Sequence, residues 1–172
     1  MAIEDPPRTR RWTRREYERL VDHGIFREDE HLELLDGLLV VREPHGSRHS
    51  ATVAALCAVL ARAFGVVVRG GAWDYVRSHP SAPVLVVETA ETSLTLDREH
   101  KSGLYARGGV ADYWIVNLHE AVLEIYRQPE PSASRPTGWE YRSTRRRAPG
   151  TTISPLAAPD RSIAVADLLP PA

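Results

Sequence analysis

Glu88, Lys101 and Asp74 are the side chains whose types and spacing could do chemistry together. Glu88 ends the apolar run "VLVVE", and burying an unpaired carboxylate is costly unless it meets a cation or a metal ion. Lys101, the only lysine in the chain, follows thirteen residues later on the first turn of the next predicted helix. A strand, a turn and a returning helix could bring these two side chains within a few ångströms.

Asp74 would add a second carboxylate, because it lies fourteen residues before Glu88 with one predicted turn between. Two carboxylates can hold Mg²⁺, which prefers oxygen ligands and keeps several waters. Such an ion polarises a phosphoryl oxygen and acidifies a bound water, while a lysine orients that water or offsets the developing charge. The set predicts phosphodiester hydrolysis, with Glu88, Lys101 and Asp74 catalytic and with Glu88 and Asp74 as ligands of Mg²⁺ or Mn²⁺.

The elements that must position these residues follow from periodicity and turn signals. The sequence predicts a helix from Thr13 to about His23, a hairpin at Asp36-Gly37, and a second helix over residues 51–64 capped by Ser50. After Gly65 it predicts strands over residues 66–76 (with a Gly-Gly kink between two parts), 84–89, 111–118, 121–128 and 139–147, and a terminal strand or turn over residues 162–170. The strand over residues 84–89 is expected to be central and covered on both faces. Asp97 is expected to cap a third helix, residues 98–107. This order favours an α/β or α+β fold with a mixed sheet.

Composition limits the class of protein. With 172 residues, 42% of them hydrophobic and 26% charged, the chain predicts one globular domain over residues 12–172 after a flexible N-terminus of residues 1–11. The apolar runs fall short of the ~20 residues that span a bilayer, and residues 1–12 lack the apolar core of a secretory signal. We therefore expect a cytoplasmic location.

The charge and the glycine spacing limit the classes of ligand. A net charge of −1 excludes a global attraction to nucleic acid. The chain has no glycine-rich loop with the spacing that binds phosphates, so no nucleotide cofactor is predicted.

Four stretches resemble one family of small bacterial proteins. From about Trp12 to Leu168 the chain resembles the Uma-type family of restriction endonucleases, which belongs to the PD-(D/E)xK superfamily. The resemblance implies a restriction-endonuclease-like mixed central β-sheet flanked by helices, a Mg²⁺-type nuclease site with DNA as substrate, and a homodimer. The stretches are "LELLDGLLV" with Glu33 and Gly37, "SRHS" with His49, residues 84–118 with Glu88 and Lys101, and "VADLLP".

By this resemblance Glu33, Glu88 and Lys101 are site residues, with Glu33 as a further metal ligand. Family members usually carry a Pro-Asp strand, whose Asp is the central metal ligand, before the Glu strand. Residues 64–88 contain no Pro-Asp pair, so that strand is missing here, and Asp74 is either a replacement ligand or an unrelated loop residue. The alternative function is a catalytically degenerate nuclease-fold protein that acts as a binding or assembly module.

Each candidate also has a purely structural interpretation. Glu88 could pair with a nearby arginine, and Lys101 could be an exposed lysine on a first helical turn. Strand alternation could point Glu33 into solvent. His49 is either a site residue or a hydrogen-bonding group at a helix entry.

Three further features are expected to be structural. The basic run of residues 142–147 could bind phosphate, but a solvated strand edge that resists aggregation is the favoured interpretation. Tyr113 and Trp114 lie in an apolar run and are expected in the core rather than stacked on bases. The lone Cys57 has no internal disulfide partner and is expected to pack as an inert apolar side chain.

Overall fold

The computed structural model describes residues 10–27, 29–42, 46–65 and 82–171. Contacts between backbone positions divide the chain into two compact units, Met1–Pro44 and His45–Ala172, which we describe separately. Asp74, the predicted strand over residues 66–76 and most of the predicted N-terminal segment lie outside the described residues. The assignment of residues 12–172 to one domain stays a prediction.

The first unit holds one helix and one hairpin. Helix α1 (Arg14–Asp22) begins at the predicted capping box, in which the Thr13 side chain accepts the backbone N–H of Glu16 and the Glu16 carboxylate accepts that of Thr13. Strands β1 (Leu32–Leu35) and β2 (Leu38–Val41) pair antiparallel across Asp36-Gly37. Both turn residues have positive φ, 48° and 82°, as a two-residue hairpin turn requires. The predicted helix and hairpin are confirmed.

The second unit opens with helix α2 (Ser47–Phe64). It begins four residues earlier than predicted because Gly46, and not Ser50, is the N-cap. Ser50 lies within the helix, where its hydroxyl donates to the Gly46 carbonyl at 3.3 Å. The helix ends at the predicted Gly65, whose φ of 62° terminates the helical hydrogen bonding.

A four-stranded mixed sheet forms the centre of this unit. Strands β3 (Val86–Ala90), β4 (Asp112–Asn117), β5 (Val122–Pro131) and β6 (Trp139–Arg147) lie in the order β3-β4-β5-β6. The pair β3–β4 is parallel and the other two pairs are antiparallel, which confirms the predicted mixed sheet flanked by helices. The strand buried along its whole length is β4, whereas β3 is half-buried and lies at one edge of the sheet as far as it is described.

The two faces of the sheet carry different cores. On one face, Trp114 and Leu123 pack against Leu56 and Leu60 of α2 and against the C-terminal segment. That segment consists of β7 (Thr152–Ile153), β8 (Ile163–Ala164) and a 3₁₀ turn (Val165–Leu168). Cys57 lies beside this core and is half-buried.

On the other face, an aromatic cluster of Tyr113, Tyr126 and Tyr141 packs with Ala106 and Val110. Tyr113 and Trp114 therefore both lie in the core, as predicted, and neither has any exposed surface.

The helix over this aromatic face is interrupted by a wider turn. It runs through α3 (Leu94–Leu96), a π-helical turn (Asp97–Lys101) and α4 (Ser102–Arg107), and we call residues 94–107 the site helix. The Ser102 N–H donates to the carbonyl of Asp97, five residues back, which defines the π turn. The prediction that Asp97 caps the helix is wrong. The helix begins three residues before it, and Asp97 is enclosed between the helix and the sheet with 0% exposure.

Gly103 lets the site helix approach the loop between β5 and β6. A Cβ atom at this position would lie 2.1 Å from Thr137 Oγ1, a distance that no side chain tolerates.

The basic run of residues 142–147 follows that loop on β6, the other outer strand of the described sheet. Its residues Arg142, Arg145 and Arg146 are exposed, in agreement with a solvated edge.

None of the helices in the described ranges has the length and hydropathy needed to span a membrane.

An ionic contact fastens the start of the site helix to the sheet. Arg98 donates twice to the carboxylate of Glu124 on β5, and its Nε lies 2.9 Å from Oε2. Glu124 is 2% exposed and also accepts hydrogen bonds from Asn117 and Tyr126, each at 2.9 Å. Burial acts to raise the pKa of Glu124, but the hydrogen bonds from Arg98, Asn117 and Tyr126 outweigh it and the pKa is lowered.

We expect stability to fall as the pH drops below the usual carboxyl range, because the pKa values of Glu124 and Glu120 are lowered in the fold. Hydrogen bonds from Arg146, Arg98 and Asn117 lower the pKa of Glu120 from 4.5 to about 2. A carboxyl with a lowered pKa stabilises the fold above its unfolded pKa and loses that contribution as the pH falls through its folded pKa. Glu124→Gln should therefore cost more stability at about pH 7 than at about pH 3, as measured by urea unfolding.

The exposed Glu99, on the same helix, provides the control. Glu99→Gln should leave the unfolding curves at both pH values unchanged. If Glu124→Gln lost the same amount of stability at about pH 7 and at about pH 3, the lowered pKa assigned to Glu124 would be contradicted.

Candidate active site

Glu88 and Lys101 meet between β3 and the site helix. Glu88 is the third residue of β3, in register with Ile115 of β4. Lys101 closes the π turn, and its Nζ donates to Glu88 Oε1 at 3.2 Å. The lysine side chain is 4% exposed, so the interpretation as an exposed first-turn lysine is wrong. The sequence prediction that these two side chains come together is confirmed, and the cation that pairs with Glu88 among the described residues is this lysine and not an arginine.

A second carboxylate also contacts the ammonium group. Asp97 Oδ1 lies 3.3 Å from Lys101 Nζ, and Asp97 Oδ2 accepts a hydrogen bond from the Ser93 hydroxyl at 2.6 Å. Burial is the main cause that raises the pKa of Asp97, and the negative charge of Glu88 adds to it. Sequence reasoning missed this residue because aspartate before a helical pattern is also the signature of an N-cap.

Tyr105 completes the contacts of Glu88. Its hydroxyl donates to Glu88 Oε1 at 2.6 Å, and its ring centroid lies 4.9 Å from that of Tyr113. A signal for both missed residues was present in the sequence. Asp97, Lys101 and Tyr105 are four residues apart, the spacing that places side chains on one face of a helix.

The site opens to solvent at Glu88, whose side chain is 20% exposed, while that of Asp97 is 1% exposed. Glu88 Oε1 receives both donors, whereas Glu88 Oε2 accepts no hydrogen bond from the residues that the structure describes. The three charged groups carry a formal charge of −1, since two carboxylates surround one ammonium. The arrangement can offer a carboxylate oxygen to a cation and keep a positive charge next to it.

The remaining predicted site residues lie on other elements or outside the described ranges. Glu33 is on β1 in the first unit, where its Oε2 lies 3.7 Å from Arg42 Nε and its side chain is 28% exposed. His49 is the third residue of α2 and is 8% exposed. Asp74 lies in the segment that the structure does not describe. Within the described ranges, no group of three His, Cys, Asp or Glu side chains is arranged to hold a metal ion.

Residues 65–166, more than half of the chain, match the family Uma2, described as "Putative restriction endonuclease". The chain belongs to the Uma2 family. This confirms the resemblance inferred from the sequence. The Uma2 match includes Glu88, Asp97, Lys101 and Tyr105, which are linked by the hydrogen bonds and ion pairs described above, and it does not reach Glu33.

The fold agrees with that of a solved structure. The chain is similar to "a putative nuclease belonging to DUF820" from Anabaena variabilis ATCC 29413, with a TM-score of 0.59, 14% sequence identity, and coverage of 90% of this chain and 95% of that chain. At this identity the similarity establishes the fold. No curated protein matches the chain.

We expect Lys101→Met to destabilise the protein by about 3–5 kcal/mol at neutral pH, because it leaves the enclosed carboxylate of Asp97 without its cation. Adding Asp97→Asn to Lys101→Met should recover part of this loss, because the uncompensated charge is then gone. Denaturant unfolding of both single variants and the double variant gives the coupling energy of the pair.

Arg145→Met is the matched control, since Arg145 is an exposed cation on β6. It should change the free energy of unfolding by less than about 0.5 kcal/mol. A cost for Lys101→Met as small as that of Arg145→Met would contradict a central role for the ion pair in holding the site together.

Proposed function

We propose that this protein is a metal-dependent endonuclease that hydrolyses phosphodiester bonds in DNA, with Glu88 and Lys101 at the centre of its site. The observation that carries the proposal is the 3.2 Å contact between Glu88 and Lys101 in the part of the chain that matches the Uma2 family. The description of the family and that of the similar solved structure both name nucleases. A carboxylate beside a lysine is the minimum that this chemistry requires.

The donor set of the site is compatible with Mg²⁺ or Mn²⁺. Such ions take one or two protein carboxylates and complete their coordination with waters and substrate phosphate oxygens. Glu88 offers one partly exposed oxygen, and Asp74 and Glu33 are the further ligands that we propose. When bound, the ion would polarise the phosphoryl group and acidify a water molecule.

The protein groups around that ion have separate tasks in this proposal. The Lys101 ammonium orients the attacking water and offsets the negative charge that develops on the phosphate, since it is a compact charge in an enclosed site. Asp97, 3.3 Å from the ammonium, is the second carboxylate that holds it in place. Glu88 keeps its negative charge directed to the open side of the site.

A second function, a catalytically degenerate binding or assembly module, is favoured by a different observation. The described ranges hold no group of three possible metal ligands, and the segment with Asp74 lacks the Pro-Asp pair.

With either function, we propose that the protein is a homodimer with a cytoplasmic location. Light scattering of the purified chain at several concentrations would test the dimer, because a monomeric mass throughout would exclude it.

The expected activity is Mg²⁺- or Mn²⁺-dependent nicking and linearisation of supercoiled plasmid DNA. Glu88→Gln keeps the shape of the side chain and removes its charge, so we expect it to lower the cleavage rate at least about 100-fold. Gel-based rate measurements with and without EDTA, on DNA and on RNA of matched length, check activity and substrate together.

Glu99→Gln is the control, because it removes an exposed carboxylate from the π turn that carries Lys101. This variant should cleave DNA at the wild-type rate. If folded wild-type protein cleaves neither substrate with either ion, the endonuclease proposal fails and the degenerate module becomes the better account.

A further inference from the structure

We propose that Tyr105 is a positioning residue that holds one oxygen of Glu88 against the protein, so that the other oxygen is presented to a divalent cation. The inference deepens the proposed function and rests on it. It concerns the orientation of the Glu88 carboxylate.

The hydrogen bonds of Glu88 are distributed unevenly over its two oxygens. Oε1 accepts from the Tyr105 hydroxyl at 2.6 Å and from Lys101 Nζ at 3.2 Å, while Oε2 accepts nothing within the described part of the chain. The last torsion of a glutamate side chain is soft, with broad preferences. Two donors on one oxygen remove this freedom and leave the second oxygen available as a single-oxygen ligand.

Tyr105 is itself held by the core. Its ring lies 4.9 Å, centroid to centroid, from the ring of Tyr113, which has no exposed surface. Tyr113 in turn lies 5.4 Å from Tyr126 and 6.1 Å from Tyr141. Because this aromatic cluster is close-packed, the Tyr105 hydroxyl is kept at a fixed position relative to β3.

The contact with Lys101 alone would not fix the orientation of the Glu88 carboxylate with one oxygen held and the other left open. An ammonium group attracts both oxygens of a carboxylate, so without Tyr105 the carboxylate could turn both oxygens to Lys101. That turn would reduce the negative charge offered to a cation. A hydroxyl is a neutral donor with one direction, and a short hydroxyl–carboxylate hydrogen bond selects one oxygen and leaves the carboxylate charged.

Tyr105→Phe tests this role, because it removes one hydroxyl and keeps the ring in the aromatic cluster. Tyr141→Phe is the matched control. Its hydroxyl donates to the Val110 carbonyl at 2.8 Å, and not to Glu88, and its ring belongs to the same cluster. Both variants lose one tyrosine hydroxyl bond, so a purely structural contribution should appear in both.

The first measurement is Mn²⁺ binding to metal-free full-length protein by isothermal titration calorimetry. We expect Tyr105→Phe to weaken Mn²⁺ binding about 10- to 100-fold, the usual effect of losing a hydrogen bond that orients a metal ligand, while Tyr141→Phe binds like wild type. The rise in melting temperature on addition of Mn²⁺ gives the same affinity for a variant that is less stable. In the cleavage assay at saturating Mn²⁺, Tyr105→Phe should lower kcat and leave KM for DNA unchanged.

Equal Mn²⁺ affinity in Tyr105→Phe and wild type would overturn the inference and leave the endonuclease proposal standing, provided that wild type cleaves DNA. Equal weakening in both tyrosine variants would also overturn it, because the effect would then come from the aromatic cluster. A wild-type protein that takes up no Mn²⁺ and cleaves no DNA would overturn the proposed function and this inference together.

Discussion

The enclosure of the Lys101 ammonium group is the constraint on which the site depends. A lysine with 4% exposure loses nearly all of its hydration, and this cost must be met by opposite charges nearby. Among the described residues, Glu88 supplies one charge from β3 and Asp97 supplies a second from the lysine's own helix, at 3.2 Å and 3.3 Å. Because one of these partners lies on the sheet and the other on the helix, the ammonium meets both of them when the two elements are docked.

The docking of the site helix is fixed at more than one point. Arg98 connects the start of the π turn to Glu124 on β5, while Lys101 connects its end to Glu88 on β3. Two residues later, Gly103 permits close approach to the loop between β5 and β6. The helix is therefore connected to β3, to β5 and to the loop that follows β5. This explains how a wider helical turn, with weaker local hydrogen bonding, persists beside the site.

The two carboxylates of the site differ in what they can contribute. Asp97 is enclosed, accepts the Ser93 hydroxyl and has a raised pKa, so its place is to support the lysine. Glu88 is partly exposed and keeps one oxygen clear of the donors in the described residues, so it is the group that can meet a ligand. Both carboxylates lie in the stretch that matches the Uma2 family, and the fold agrees with that of a similar solved structure.

Local chemistry in the sequence determined much of the architecture. The capping box at Thr13, the Asp36-Gly37 turn and the stop at Gly65 each act within a few neighbouring residues, so their patterns could be interpreted without a structure. The sequence also singled out Glu88 and Lys101, because a carboxylate after an apolar run and a lone lysine are visible as residue types.

The tertiary structure decided which groups complete the site. Asp97 resembles an N-cap in the sequence, and Tyr105 resembles an ordinary helical aromatic residue. Their roles depend on the site helix starting at Leu94 and on its π turn facing β3, which packing against the sheet determines and local propensity does not. Hydrogen bonds between distant segments are specified by the docked surfaces as a whole, so the sequence alone could place Glu88 near Lys101 but could not show which oxygen of Glu88 is held and which is left open.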